Sequence, residues 1–115
     1  MEIPKPIRDR RRAFRLDCEL PFRIGREGYE AEVVTVNVSI NGAYFRVGDD
    51  IPMMSKLTIR IALPNRKKHV LAKGVVVRKE KDENSGEFFI AVYFSEIKPS
   101  DQNSLEKFLQ RRAKP

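Results

Sequence analysis

The sequence predicts an all-β domain with one C-terminal helix, a small antiparallel sandwich or barrel entered by a basic arm. Apolar residues recur with period two through most of the chain, and Gly or Pro interrupts the alternation about every 8 to 12 residues. Near the end the period changes to that of a helix. At 115 residues the chain suits a single core, because two separate cores of fewer than about 60 residues would each bury too little surface.

Residues 1–15 form the arm. Leu20 to Ile24 reads as a short strand and Gly25 to Gly28 as the turn leading out of it. From Ala31 to Ile40, Val34, Val36, Val38 and Ile40 share one parity and are assigned to the core. Thr35, Asn37 and Ser39 share the other with Val33, which makes that face mostly polar and outward. Asn41-Gly42 suits a tight two-residue hairpin because both residues tolerate positive φ, and Ala43 to Val47 returns. Gly48 to Pro52 is a loop. Leu57, Ile59, Ile61 and Leu63 alternate with Thr58, Arg60 and Ala62 in a half-buried strand ended by Pro64-Asn65. Arg66 to His69 is a solvated basic turn.

Val70 to Arg78 is the next strand, interrupted by Gly74 where a bulge relieves curvature. Lys79 to Glu87 is a charged turn, and Phe88 to Phe94 the last strand. Pro99-Ser100-Asp101 then signals a helix start, with Ser100 accepting from first-turn amides and Asp101 facing the positive end of the dipole. Leu105, Phe108 and Leu109 make one apolar stripe on a helix of roughly two to three turns. A helix this short is marginal alone in water, so it packs on the strands. The divisions expected are an arm over 1–15, a β-barrel or sandwich over 16–98 and a helix over 99–112.

The chain has 23 Lys plus Arg and 16 Asp plus Glu, a formal charge of +7. The excess lies at the ends: residues 1–15 carry +4, residues 106–115 carry +3, and residues 16–105 are neutral. A neutral body with basic extremities suits an anionic partner met by an arm. With 41% hydrophobic and 34% charged residues, disorder throughout is excluded. No stretch approaches the roughly 18 apolar residues of a membrane span. The basic run from Arg8 to Arg15 occupies the place of a signal-peptide core. Cys18, the one cysteine, has no internal disulfide partner, which fits a reducing cytoplasm; it is assigned to the core.

Two constellations can carry chemistry. Arg8, Arg10, Arg11, Arg12 and Arg15 put planar guanidinium forks in one short arm, and such forks bind phosphate, grip a guanine edge and stack on a base. Asn37-Val38-Ser39-Ile40-Asn41-Gly42 offers an amide, a hydroxyl and a glycine that lets a ligand approach the backbone. His69 is the only histidine, and no His, Cys or carboxylate cluster has metal-site spacing. Ser39 has no evident base and no carboxylate pair suggests acid–base work, so neither a metal nor catalysis is expected.

Together the two constellations resemble the PilZ domains, bacterial receptors for cyclic di-GMP, whose hallmarks are an RxxxR arm and a downstream [DN]xSxxG strand and turn. Arg11 to Arg15 matches the first and Asn37 to Gly42 the second; Arg8 and Arg12 form an alternative RxxxR register. The resemblance spans roughly residues 8–112 and implies a six-stranded antiparallel barrel with a closing helix. It implies that Arg11 and Arg15 hold phosphate and guanine opposite Asn37, Ser39 and Gly42. It also implies one ligand molecule per chain or, with Arg10 immediately before the motif, two stacked ones.

The expected protein is a non-catalytic cytoplasmic adaptor without cofactor. Its arm is mobile until the ligand folds it onto the barrel, changing a surface read by an effector protein, in motility, biofilm or exopolysaccharide control. Neither DNA or RNA binding nor membrane insertion is expected. The competing readings are a small basic nucleic-acid-binding barrel, with Tyr44 or Tyr93 stacking on bases, and an interaction module of this fold that binds no ligand.

Overall fold

Strand alternation decides which side chains turn inward, and the inward rows close on themselves. The computed structural model describes residues 15–64 and 69–113. Its strands are β1 (Leu16–Asp17), β2 (Pro21–Arg26), β3 (Tyr29–Val38), β4 (Gly42–Val47), β5 (Lys56–Ile61), β6 (Val70–Lys81) and β7 (Phe88–Ile97), followed by helix α1 (Pro99–Ala113). Six of them form a closed antiparallel barrel in the order β3-β2-β5-β6-β7-β4, with β4 pairing back onto β3. The short β1 shares an edge of β3 with β2, pairing Leu16 with Val38 and Asp17 with Asn37. A closed barrel leaves no long open edge.

Phe22, Ile24, Phe45, Leu57, Ile59, Ile61, Val76, Ile90 and Val92 fill the interior. The Phe22 and Phe45 rings meet at 5.5 Å in a tilted pair. Leu105 and Leu109 of α1 join this core and Phe108 packs at its margin, so the helix closes the barrel against β6 and β1. Cys18 is buried in the same core, and burial pushes its thiol pKa up.

Several boundaries differ from the sequence expectations. Strand β2 runs on to Arg26, and the turn is the pair Glu27-Gly28 with Gly28 at φ 76°. Between β3 and β4 there is no two-residue hairpin: Ser39, Ile40 and Asn41 make the connection and Gly42 already lies in β4. Among the described residues positive φ occurs at Gly28, Gly86 and Met54, so Asn41-Gly42 is not used for its left-handed tolerance. Strand β6 continues to Lys81, because Lys79, Glu80 and Lys81 pair with Ile90, Phe89 and Phe88; the polar turn is confined to Asp82–Glu87.

The expected bulge at Gly74 is present as a register shift, where a Cβ would stand 2.7 Å from Ile59 Cδ1. The helix begins at Pro99, with the Lys98 carbonyl accepting from the Gln102 amide at 2.8 Å. Ser100 therefore does not cap it; proline at the first helical position has the right φ and no N–H to satisfy. Asp101 lies in the first turn, as expected, and also accepts from the Leu71 amide, at 3.4 Å. Asn65 and the basic run Arg66 to Lys68 lie outside the described residues.

A hydrogen bond ties the lower loops together. The Tyr29 hydroxyl donates to Asp49 Oδ2 at 2.8 Å, joining the β2–β3 hairpin to the β4–β5 connection. Burial, the hydrogen bond and the Asp49 charge together push the Tyr29 pKa up to about 12. A raised folded-state pKa means a contribution to stability that is complete below the ordinary tyrosine pKa of about 10 and is lost as pH rises through the folded value. In an ultraviolet difference titration one phenol should ionise only near pH 12, and Tyr29→Phe should remove that last step; a titration unchanged by the substitution would show that the clamp does not form.

Candidate functional site

Arg15 stands immediately before β1, and the β1–β3 register brings it to the end of β3. There its Nη1 donates to Asn37 Oδ1 at 2.9 Å. The two constellations, well separated in sequence, thus touch on one outer face of the barrel. Arg10 and Arg11, with Arg8 and Arg12 of the alternative register, lie outside the described residues.

Asn37 faces outward because β3 carries one extra residue. Thr35 pairs with Phe45 and Asn37 with Tyr44, leaving Val36 bulged between them. The bulge shifts the parity of the strand. Val34 and Val36, assigned to the core from alternation, are 51% and 39% exposed, while Thr35 is buried at 1%. A buried hydroxyl needs partners. Thr35 Oγ1 accepts from the Leu20 amide at 2.9 Å and donates to the Cys18 carbonyl at 2.7 Å. It thereby satisfies backbone groups where the chain passes from β1 to β2.

Ser39 also departs from expectation. It does not stand beside Asn37 on the outer face: it is buried, its Oγ accepts from the Asn41 amide at 3.1 Å, and its own amide donates to the Gly42 carbonyl at 2.9 Å. Its hydroxyl braces the β3–β4 connection. The Asn41 carbonyl accepts from the Phe94 amide at 2.8 Å and so extends the β4–β7 ladder. Gly42 is paired with Tyr93, and a Cβ at Gly42 would lie 2.1 Å from the Val92 carbonyl oxygen. Glycine is therefore required by the close approach of β7.

The sequence reading did not include the rest of this face in the motif-based site. Register aligns Asn37, Tyr44, Ala91 and Arg78 in one row across β3, β4, β7 and β6. Tyr93 stands half-exposed beside it. The Tyr44 ring stacks on Phe89 at 5.7 Å, and the Arg46 guanidinium lies 4.9 Å from the Phe89 centroid. Burial raises the Tyr44 pKa, with the Glu80 carboxylate adding to it against Arg78. The outward parity of β4 and β7 was the available signal for these residues. A guanidinium, an amide and phenol rings around a floor of Gly42 and Ala91 suit a ligand that combines anionic groups with planar rings. Among the described residues no group of His, Cys, Asp or Glu could hold a metal ion, and no helix is long and apolar enough to cross a membrane.

The model of the PilZ domain matches residues 9–111. The chain belongs to the PilZ domain family. PilZ structures share its fold: the Bacillus subtilis inhibitor of motility, MotI/DgrA, superposes with a TM-score of 0.78 at 26% identity, over 88% of this chain and 50% of that one. The MrkH–c-di-GMP complex of K. pneumonia gives 0.69 at 17% identity, over 88% and 50% of the two chains. The PilZ domain of Escherichia coli YcgR with c-di-GMP gives 0.65 at 14% identity, over 90% and 94%. The chain thus spans about half the length of MotI and MrkH. Curated proteins yield no match.

The Gly42 contact gives this PilZ site a structural test. Gly42→Ala should force β4 away from β7 and destabilise the fold by about 1–3 kcal/mol, read as a lower urea midpoint. A midpoint equal to that of the unsubstituted protein would show that the close approach to Val92 is not a constraint.

Proposed function

We propose that this PilZ domain is a non-catalytic receptor for cyclic di-GMP and acts as a cytoplasmic adaptor. The observation that carries the reading is the Arg15–Asn37 hydrogen bond, which joins the arm to the strand motif on one face. The c-di-GMP complexes of MrkH and YcgR, similar in fold, support it.

In this reading Arg15 and Arg11 take a ligand phosphate and a guanine edge, since a guanidinium fork matches both. Asn37 forms the opposing wall. Ser39 acts by bracing the connection, and Gly42 keeps the backbone of β4 open. Ligand binding draws the arm over the outer face, so that the surface offered to an effector protein changes. Each charge-assisted contact contributes about 1.5–3 kcal/mol, against an ordering cost of about 2–5 kcal/mol for the segment. Two arginines therefore decide whether binding is measurable. Arg10, next to the motif in sequence, is assigned to a second, stacked ligand.

Isothermal titration tests the reading. Arg15→Ala and Arg11→Ala should each abolish cyclic di-GMP binding while leaving the circular dichroism spectrum unchanged, and near-native affinity in both variants would overturn the assignment. The unsubstituted protein should take two ligands per chain; a ratio of one would remove the stacked pair and the role given to Arg10.

A further inference from the structure

A groove of about 640 Å³ crosses the outer faces of β2, β5 and β6, away from the PilZ motifs. Register sets its floor in two rows: Arg23, Arg60 and Leu71 in one, Gly25, Thr58 and Lys73 in the other. Gly25 contributes no side chain, and Leu71 is 49% exposed on a strand whose inward residues are buried. Lys98 closes one end.

The charges in this groove are arranged at a cost. Arg23 and Arg60 lie directly opposite each other on β2 and β5, and like charges in that position destabilise a strand pair. Glu30 and Glu32 each pair with Arg23 at 2.9 Å, but among the described residues Arg60 and Lys98 form no ion pair. Lys73 reaches Glu96 only at 3.8 Å with both side chains mostly exposed, a contact worth little and easily exchanged. Among the described residues, three cations with weak or no partners thus surround an exposed leucine, within a stretch, residues 16–105, whose net charge is zero.

We infer that this groove docks an acidic, extended segment of a partner protein, with carboxylates on Arg60, Lys73 and Lys98 and an apolar side chain on Leu71. A partner carboxylate gives Arg60 the counter-charge that Glu30 and Glu32 already give Arg23, and Leu71 is covered as it binds. A nucleic acid fits less well. Among the described residues no aromatic ring lines the groove to stack a base. Around the barrel, β5 and β6 lie across from β3 and β4, so this groove and the Arg15–Asn37 face can be occupied together. The inference names a partner for the adaptor proposed above, yet it stands on separate residues.

A decapeptide alternating glutamate and leucine serves as the probe, followed by amide chemical shifts in the full chain. It should perturb Thr58, Arg60, Leu71 and Lys73, and Arg60→Glu and Leu71→Ser should each weaken it on the order of tenfold while leaving the cyclic di-GMP titration unchanged. Absence of binding, equal binding of a lysine–leucine decapeptide, unchanged affinity in both variants, or preferential filling of the groove by a thymidine decanucleotide would each overturn the proposal. The separate cyclic di-GMP titration on the same samples shows whether the receptor reading stands or falls independently.

Discussion

Two hydrogen bonds at one buried threonine hold the β1–β2 connection to the barrel. Leu20 donates to the Thr35 hydroxyl and that hydroxyl donates to the Cys18 carbonyl, so the chain between β1 and β2 is fixed at both ends of its turn. Leaving either backbone group buried without a partner would cost about 1–3 kcal/mol. The anchor also determines the outer face: with Thr35 held inward, Val36 is extruded and Asn37 emerges beside Arg15. A polar residue in a valine-rich strand thus performs a packing task and a positioning task at once. Among the described residues no buried side-chain polar atom lacks a partner, which fits a core whose polar members are structural.

The sequence shows most clearly those elements in which one rule acts alone. Strands β5 and β7 follow strict alternation, and their inward residues are those that parity selects. The apolar stripe of α1 is equally plain, because Leu105 and Leu109 face one core. The PilZ motifs themselves were readable from arginine spacing and the Asn-Ser-Gly pattern. The failures occur where long-range pairing overrides a local preference. A bulge is set by what lies across the strand, so the parity of Val34 and Val36 cannot be read from β3 alone. Asn41-Gly42 has the composition of a tight turn, but β7 claims Gly42 as a strand residue through the Val92 contact. Lys79, Glu80 and Lys81 look like loop by composition, yet their partners on β7 keep them extended.

Net charge is a poor guide to this barrel, whose neutrality is a sum over unlike faces. One face presents aromatic rings beside Arg15 and Asn37; the face across the barrel presents cations around Leu71. The groove lies on three adjacent strands and the aromatic face on four, with β6 common to both, yet the two share no side chain named for either role. In the reading proposed here, such a division lets one small fold carry a small-molecule surface and a protein-facing surface without enlarging the chain.

The pairing of Gly42 with Tyr93 also bears on how the chain folds. These residues are nearly half the sequence apart, and their strands meet only when the barrel closes. Contacts of such long range form late, since the entropy of closing the intervening loop must first be overcome. The hairpins β2–β3 and β5–β6 can assemble from nearer residues, but neither contains the complete ligand face. The proposed ligand face is therefore a property of the finished fold, and a ligand bound there would draw the equilibrium away from partly assembled chains.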